Sequence, residues 1–102
     1  MIHHAVLLKF KSSVKKPDIE RAFSELAGLK KKIPGIVSFV GGPYSSPEGL
    51  NQGFTHGFVM AFTDAKARDG YLNHPEHDKV KAVIFPSLEG GFAGVIAFDF
   101  EA

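Results

Sequence analysis

Hydrophobic and polar positions alternate with a period of two over residues 2–10. His4, Val6, Leu8 and Phe10 fall on one side, and His3, Ala5, Leu7 and Lys9 on the other, which is the repeat of a β-strand. Both sides are largely apolar, so this strand needs cover on both faces. Beyond a polar turn at Lys11–Lys16 the period changes. Ile19, Ala22, Phe23, Leu26, Leu29 and Ile33 recur at three- and four-residue steps, marking one face of a helix. Pro17 suits its first position, and Asp18 and Glu20 suit the positive end of its dipole. Lys30, Lys31 and Lys32 complement the carbonyls at the other end, so the lysine run reads as a solvated helix terminus.

Pro34-Gly35 stops that helix, and Ile36–Val40 is a second strand closed by Gly41-Gly42-Pro43. Tyr44–Gly53, rich in Ser, Pro, Gly and Asn, is a surface loop. Phe54, His56, Phe58, Met60 and Phe62 then alternate with Thr55, Gly57, Val59 and Ala61, a third strand with one bulky and one small face. Thr63-Asp64 caps a helix from Ala65 through Tyr71 to Asn73, within which Gly70 costs about 1 kcal/mol relative to alanine. Pro75 ends it. Helical spacing resumes over Glu76–Phe85, with Val80, Val83 and Ile84 as the buried set, and Pro86 closes it. Phe92–Phe100 is the last strand.

The order β-α-β-β-α-β is the ferredoxin-like, α+β pattern: a four-stranded antiparallel sheet with its helices on one face. At 102 residues the chain is one domain, residues 1–102. The other sheet face carries Ala5, Leu7, Val59 and Ala61, an apolar patch of the kind that marks an interface. The expected partner is therefore a second copy, packed face to face about a two-fold axis.

Composition removes several alternatives. With 44% hydrophobic and 23% charged residues and no apolar run near the ~20 residues of a membrane span, the chain reads as soluble, with no membrane partner. A formal charge of +1 leaves no electrostatic footprint for nucleic acid. Cysteine is absent, which rules out disulfides, thiolate metal ligands and a thiol nucleophile and fits a cytoplasmic protein. The N-terminus lacks the cationic start and cleavage site of a signal peptide.

Candidate proton-transfer chemistry gathers in Gly70-Tyr71-Leu72-Asn73-His74-Pro75-Glu76-His77. His4 and His56 share strand faces with apolar residues, so both imidazoles should point toward the helices. Buried imidazoles stay neutral and can accept a proton, whereas satisfied core histidines are the plainer alternative. Phe23 is core or a pocket wall. His74 and His77 stand at a ligand spacing, but Pro75 breaks the helix between them, and no metal site is expected; His74 reads as a turn or cap residue. Asp99 reads as an edge or solvent residue, and Ser45-Ser46 has no nearby base.

His4-Ala5-Val6-Leu7-Leu8-Lys9-Phe10, Ile33-Pro34-Gly35-Ile36, Gly53-Phe54-Thr55-His56 and Tyr71-Leu72-Asn73-His74-Pro75-Glu76-His77 together resemble the stress-responsive dimeric α/β-barrel domain family. The resemblance implies two sheets paired into a barrel and a hydrophobic pocket between sheet and helices. One branch of that family, typified by olivetolic acid cyclase, carries out cofactor-free aldol closure of a polyketide chain. It implies Tyr71 and His77 as catalytic residues, and His4 and His56 as pocket residues. Phe23 and Phe58 complete the expected substrate-binding set, for a small hydrophobic or phenolic ligand and with no cofactor. A stress-protective or ligand-binding module without catalysis and a cofactor-free monooxygenase remain the alternatives. Gly70 is expected to loosen the helix that holds Tyr71.

Overall fold

The computed structural model describes all 102 residues and follows the hydrophobic pattern into seven main elements. They are β1 (Ile2–Leu8), α1 (Lys16–Gly28), β2 (Ile36–Pro43), β3 (His56–Phe62), α2 (Ala65–Leu72), α3 (Pro75–Ile84) and β4 (Val95–Glu101). The strands form one antiparallel sheet in the order β2-β3-β1-β4. This is the ferredoxin-like arrangement, with β1 and β3 central. Alternation sorts the side chains: Ile2, His4, Val6 and Leu8 of β1 and Phe58, Met60 and Phe62 of β3 are buried beneath the helices. Ala22, Leu26 and Leu29 from the first helical segment and Tyr71, Val80 and Ile84 from the others complete this core. No helix is long and apolar enough to cross a membrane.

Local chemistry sets the boundaries. The Asp64 carboxylate accepts from Ala67 N–H at 2.8 Å and starts α2. His74 Nδ1 accepts from Glu76 N–H at 3.1 Å and, with Pro75 at the first position, starts α3. The cap reading of His74 is the one observed. The first helix ends at Gly28 and tightens into a 3₁₀ turn, Leu29–Lys31, that carries Lys30 and Lys31 at its end. Residues 91–94, expected to begin the last strand, instead form another 3₁₀ turn, so β4 starts at Val95. Val83, expected in the core, is exposed; α3 buries a stripe through Val80 and Ile84 that is too narrow to include it.

The opposite sheet face is bare. Leu7 and Val59 are exposed on it as expected, and register adds Val40, Ile96, Phe98 and Phe100 to the same face. Phe98 is 66% and Val40 68% exposed. Ala61 differs from expectation: it lies on this face but is buried, overhung by larger neighbours. Gly70 does not break α2, and nothing lies within 4 Å of the position its Cβ would take. Gly70→Ala is accordingly expected to raise stability by about 0.5–1 kcal/mol, read from the urea midpoint, because the open site accepts a methyl and the unfolded chain loses freedom. A lowered midpoint would show that the glycine has a role beyond helix formation.

Candidate active site

The β1–β4 register places His4 directly opposite Asp99. Both side chains point under the helices, and His4 Nδ1 meets the Asp99 carboxylate at 2.5 Å. Arg68, from α2, donates to the other carboxylate oxygen at 2.7 Å. Burial is the largest influence on Asp99 and pushes its pKa up, but the hydrogen bonds and charges of Arg68 and His4 together outweigh it and hold the carboxyl below its ordinary value. A carboxylate only accepts, so Nδ1 of His4 is the donor. Asp99 lies on the edge strand β4, as expected, but its side chain turns inward rather than to solvent. Phe98 and Phe100 occupy the bare face, so alternation turns Asp99 inward.

His4 stands edge-on to the Tyr71 ring, centroids 5.8 Å apart. Tyr71 is 1% exposed, stacked on His77 at 4.1 Å and tilted against Phe62 at 5.1 Å. Three rings hold the phenol, so the expected loosening by Gly70 does not occur. Desolvation is the main cause of a strongly raised Tyr71 pKa, reinforced by the charge of Asp99. The phenol therefore stays protonated.

His77 lies in the first turns of α3. Burial lowers its pKa, and Lys81 lowers it further, against smaller raising effects from the Leu72 carbonyl and Asp78. Its Nδ1 is buried without a hydrogen-bond partner. A neutral imidazole beside a neutral phenol is a base next to a donor.

These groups line a cavity of about 280 Å³ between the sheet and the helices. Thirteen of its sixteen lining residues are hydrophobic, the others being His4, His77 and Lys81. Phe58 and Leu26 help form its floor. Phe23 and His56, expected in the same pocket, are not in it. They face one another at 5.7 Å in a separate open groove with Ile19, Gly41 and Pro43. Phe58 stands between the two spaces, 6.2 Å from His4 and 6.4 Å from Phe23. Phe23 approaches Gly41 so closely that a Cβ there would meet its ring at 2.7 Å. Burial lowers the pKa of His56, whose Nδ1 lies 2.9 Å from the Thr55 hydroxyl.

Depressed imidazole pKa values have a thermodynamic consequence. The unfolded chain takes up protons near pH 6.5, while the folded chain resists them at His77 and His56, so stability is full above that range and falls as the pH drops through it. Urea midpoints should fall between pH 8 and pH 5, and fall less in His77→Gln. An unchanged difference in that variant would remove His77 from the account. Asp99 adds a further loss only below its ordinary carboxyl range.

Fold and site together define a ferredoxin-like α+β domain with an apolar, histidine-bearing cavity under its helices. The chain belongs to the stress responsive A/B barrel domain family, whose pattern matches residues 2–102. Stress-response A/B barrel domain-containing protein HS1 of Arabidopsis thaliana is 32% identical over 88 residues, 86% of this chain and 81% of that protein. Olivetolic acid cyclase of Cannabis sativa is 25% identical over 76 residues, 74% of this chain and 75% of that protein. A dimeric ferredoxin-like protein of unknown function from Jannaschia sp. CCS1 superimposes with a TM-score of 0.88 at 30% identity, covering 99% of this chain and 98% of the other.

Proposed function

We propose that this protein is a homodimer, paired through its bare sheet face, whose cavity binds a small apolar carbonyl compound and carries out acid-base chemistry on it without a cofactor. The observation that carries this reading is the stacked Tyr71–His77 pair at 4.1 Å, lining a largely apolar cavity. The His77 imidazole takes a proton from the carbon next to a carbonyl. The Tyr71 hydroxyl donates to the carbonyl oxygen as that oxygen gathers negative charge. The resulting enolate carbon can attack a second carbonyl of the same molecule, whose oxygen takes back the proton held by His77; this closes a ring, and the olivetolic acid cyclase relative is named for a cyclisation. In this reading His4, fixed by Asp99 and Arg68, holds the far side of the phenol.

The apolar sheet face supports the dimer. A standard interface buries ~800 Å² per partner, and a patch running through all four strands suits that size. Similar solved proteins are dimeric. A chain without cysteine has no need of an oxidising compartment, which suits a cytoplasmic setting.

Binding is the first test. Calorimetric titration with 1-phenylbutane-1,3-dione, a compact compound with an acidic carbon between two carbonyls, should show one site per chain, weakened about tenfold in Tyr71→Phe by loss of one hydrogen bond. Equal affinity in wild type and Tyr71→Phe would contradict the assignment of the phenol.

A further inference from the structure

The cavity has a buried wall made by His4, Leu26, Phe58, Tyr71 and Ile84, while Leu72, Lys81, Phe92 and Ala97 are exposed at its rim. Phe92 is the anomaly among them. It is 84% exposed, the most exposed large apolar side chain of the molecule, and yet it lines the cavity. It precedes β4, whose Phe98 and Phe100 lie on the bare sheet face.

Its backbone accounts for the placement. Phe92 sits on the 3₁₀ turn Gly91–Gly94, entered through Gly90 and Gly91 with φ of 71° and 60°, a left-handed pair that costs other residues steric strain. A Cβ on Gly91 would come to 3.3 Å from the Phe85 ring, so glycine there lets the turn lie close against Phe85. The result is an edge-to-face contact between Phe85 and Phe92, centroids 4.6 Å apart at 70°. Phe85 lines the cavity as well.

We propose that Phe92, braced by Phe85, is the specificity-determining residue at the cavity rim, and that it selects ligands with a flat aromatic or conjugated end. This rests on the reading of the cavity as a ligand site and adds which part of the ligand faces outward. A carbonyl or phenolic head engages Tyr71 and His77 within the cavity; the other end of the ligand meets the faces of two aromatic rings, an arrangement that favours stacking over contact with a flexible chain. A flat ring can stack on Phe92 over its whole face, whereas a saturated group covers it without the added attraction of an aromatic pair.

The test compares two phenols of similar bulk, 4-phenylphenol and 4-cyclohexylphenol, by calorimetric titration against wild type, Phe92→Ala and Tyr71→Phe. Wild type should prefer the flat compound by about tenfold. Phe92→Ala should reduce that preference to twofold or less, and Phe92→Trp should restore it. Tyr71→Phe should weaken both compounds while keeping their ratio. Because Phe92 is exposed, its variants should retain the wild-type urea midpoint, which verifies folding. If Phe92→Ala keeps the tenfold preference, the proposal is overturned while the cavity reading stands. If neither phenol binds wild type at millimolar concentration, both fall. A preference lost in Phe92→Ala alongside an unaltered affinity of Tyr71→Phe upholds the rim residue and instead sinks the role given to the phenol.

Discussion

Phe98→Glu is expected to convert the dimer to a folded monomer, raising its dissociation constant about 1,000-fold or more. Phe98 is 66% exposed in the single chain, so the substitution removes little intrachain packing and the urea midpoint of the monomeric domain should hold. In the proposed dimer the same position meets the partner's sheet. A two-fold axis buries two carboxylates for each substitution, and even ~2 kcal/mol apiece, the low end of the cost of burying an unpaired polar or charged group, multiplies the dissociation constant by ~10³. Val83→Glu, on the exposed side of α3, should leave assembly unchanged. Sedimentation equilibrium at micromolar concentration distinguishes these outcomes. A Phe98→Glu variant that stays dimeric would place the interface elsewhere.

The fold was legible because period alone separates its layers. His4, Val6 and Leu8 against Ala5 and Leu7 tell which side of β1 meets the helices, and proline and glycine mark where the elements stop. Convergence of His4, Tyr71 and His77 followed from those faces. What period could not supply was position across the sheet. His4, Val6 and Leu8 of β1 all line the cavity, which extends toward Val95 and Ala97 on the β4 side. His56 pairs with Leu8 and so stands at a height the cavity reaches, but it belongs to β3. With Phe58 between, it falls in the second groove, beside Phe23 and the β2 residues Gly41 and Pro43.

Asp99 shows the reverse error. A carboxylate between two phenylalanines near a chain terminus looked like a solvent residue, yet the same alternation that exposes Phe98 and Phe100 turns it inward. Arg68 carried no signal in sequence, since only the docking of α2 against β4 brings it to Asp99. Pairing of a buried acid with a strand histidine is a register effect, and register becomes readable only once the strand order is known.

His77→Gln carries the largest expected effect on chemistry. Glutamine preserves volume and polarity but cannot accept a proton at neutral pH, so the variant should bind ligand with little change and lose the base. General-base catalysis contributes ~10²–10⁴-fold, and a loss in that range is expected. The pH profile should also change. With its pKa depressed by burial, His77 in wild type is deprotonated and active throughout the neutral range, and the rate declines only below pH 6.5 as the imidazole takes up its proton. The variant should lack that decline.

The most direct measurement follows hydrogen exchange at the acidic carbon of 1-phenylbutane-1,3-dione in heavy water by proton NMR, comparing buffer, wild type and His77→Gln. It reads proton abstraction itself and requires no knowledge of the natural substrate. Exchange accelerated by the wild type and lowered at least 100-fold in His77→Gln is the predicted result. Exchange no faster than in buffer, or equally fast with His77→Gln, would contradict the claim that the Tyr71–His77 cavity is a site of acid-base chemistry.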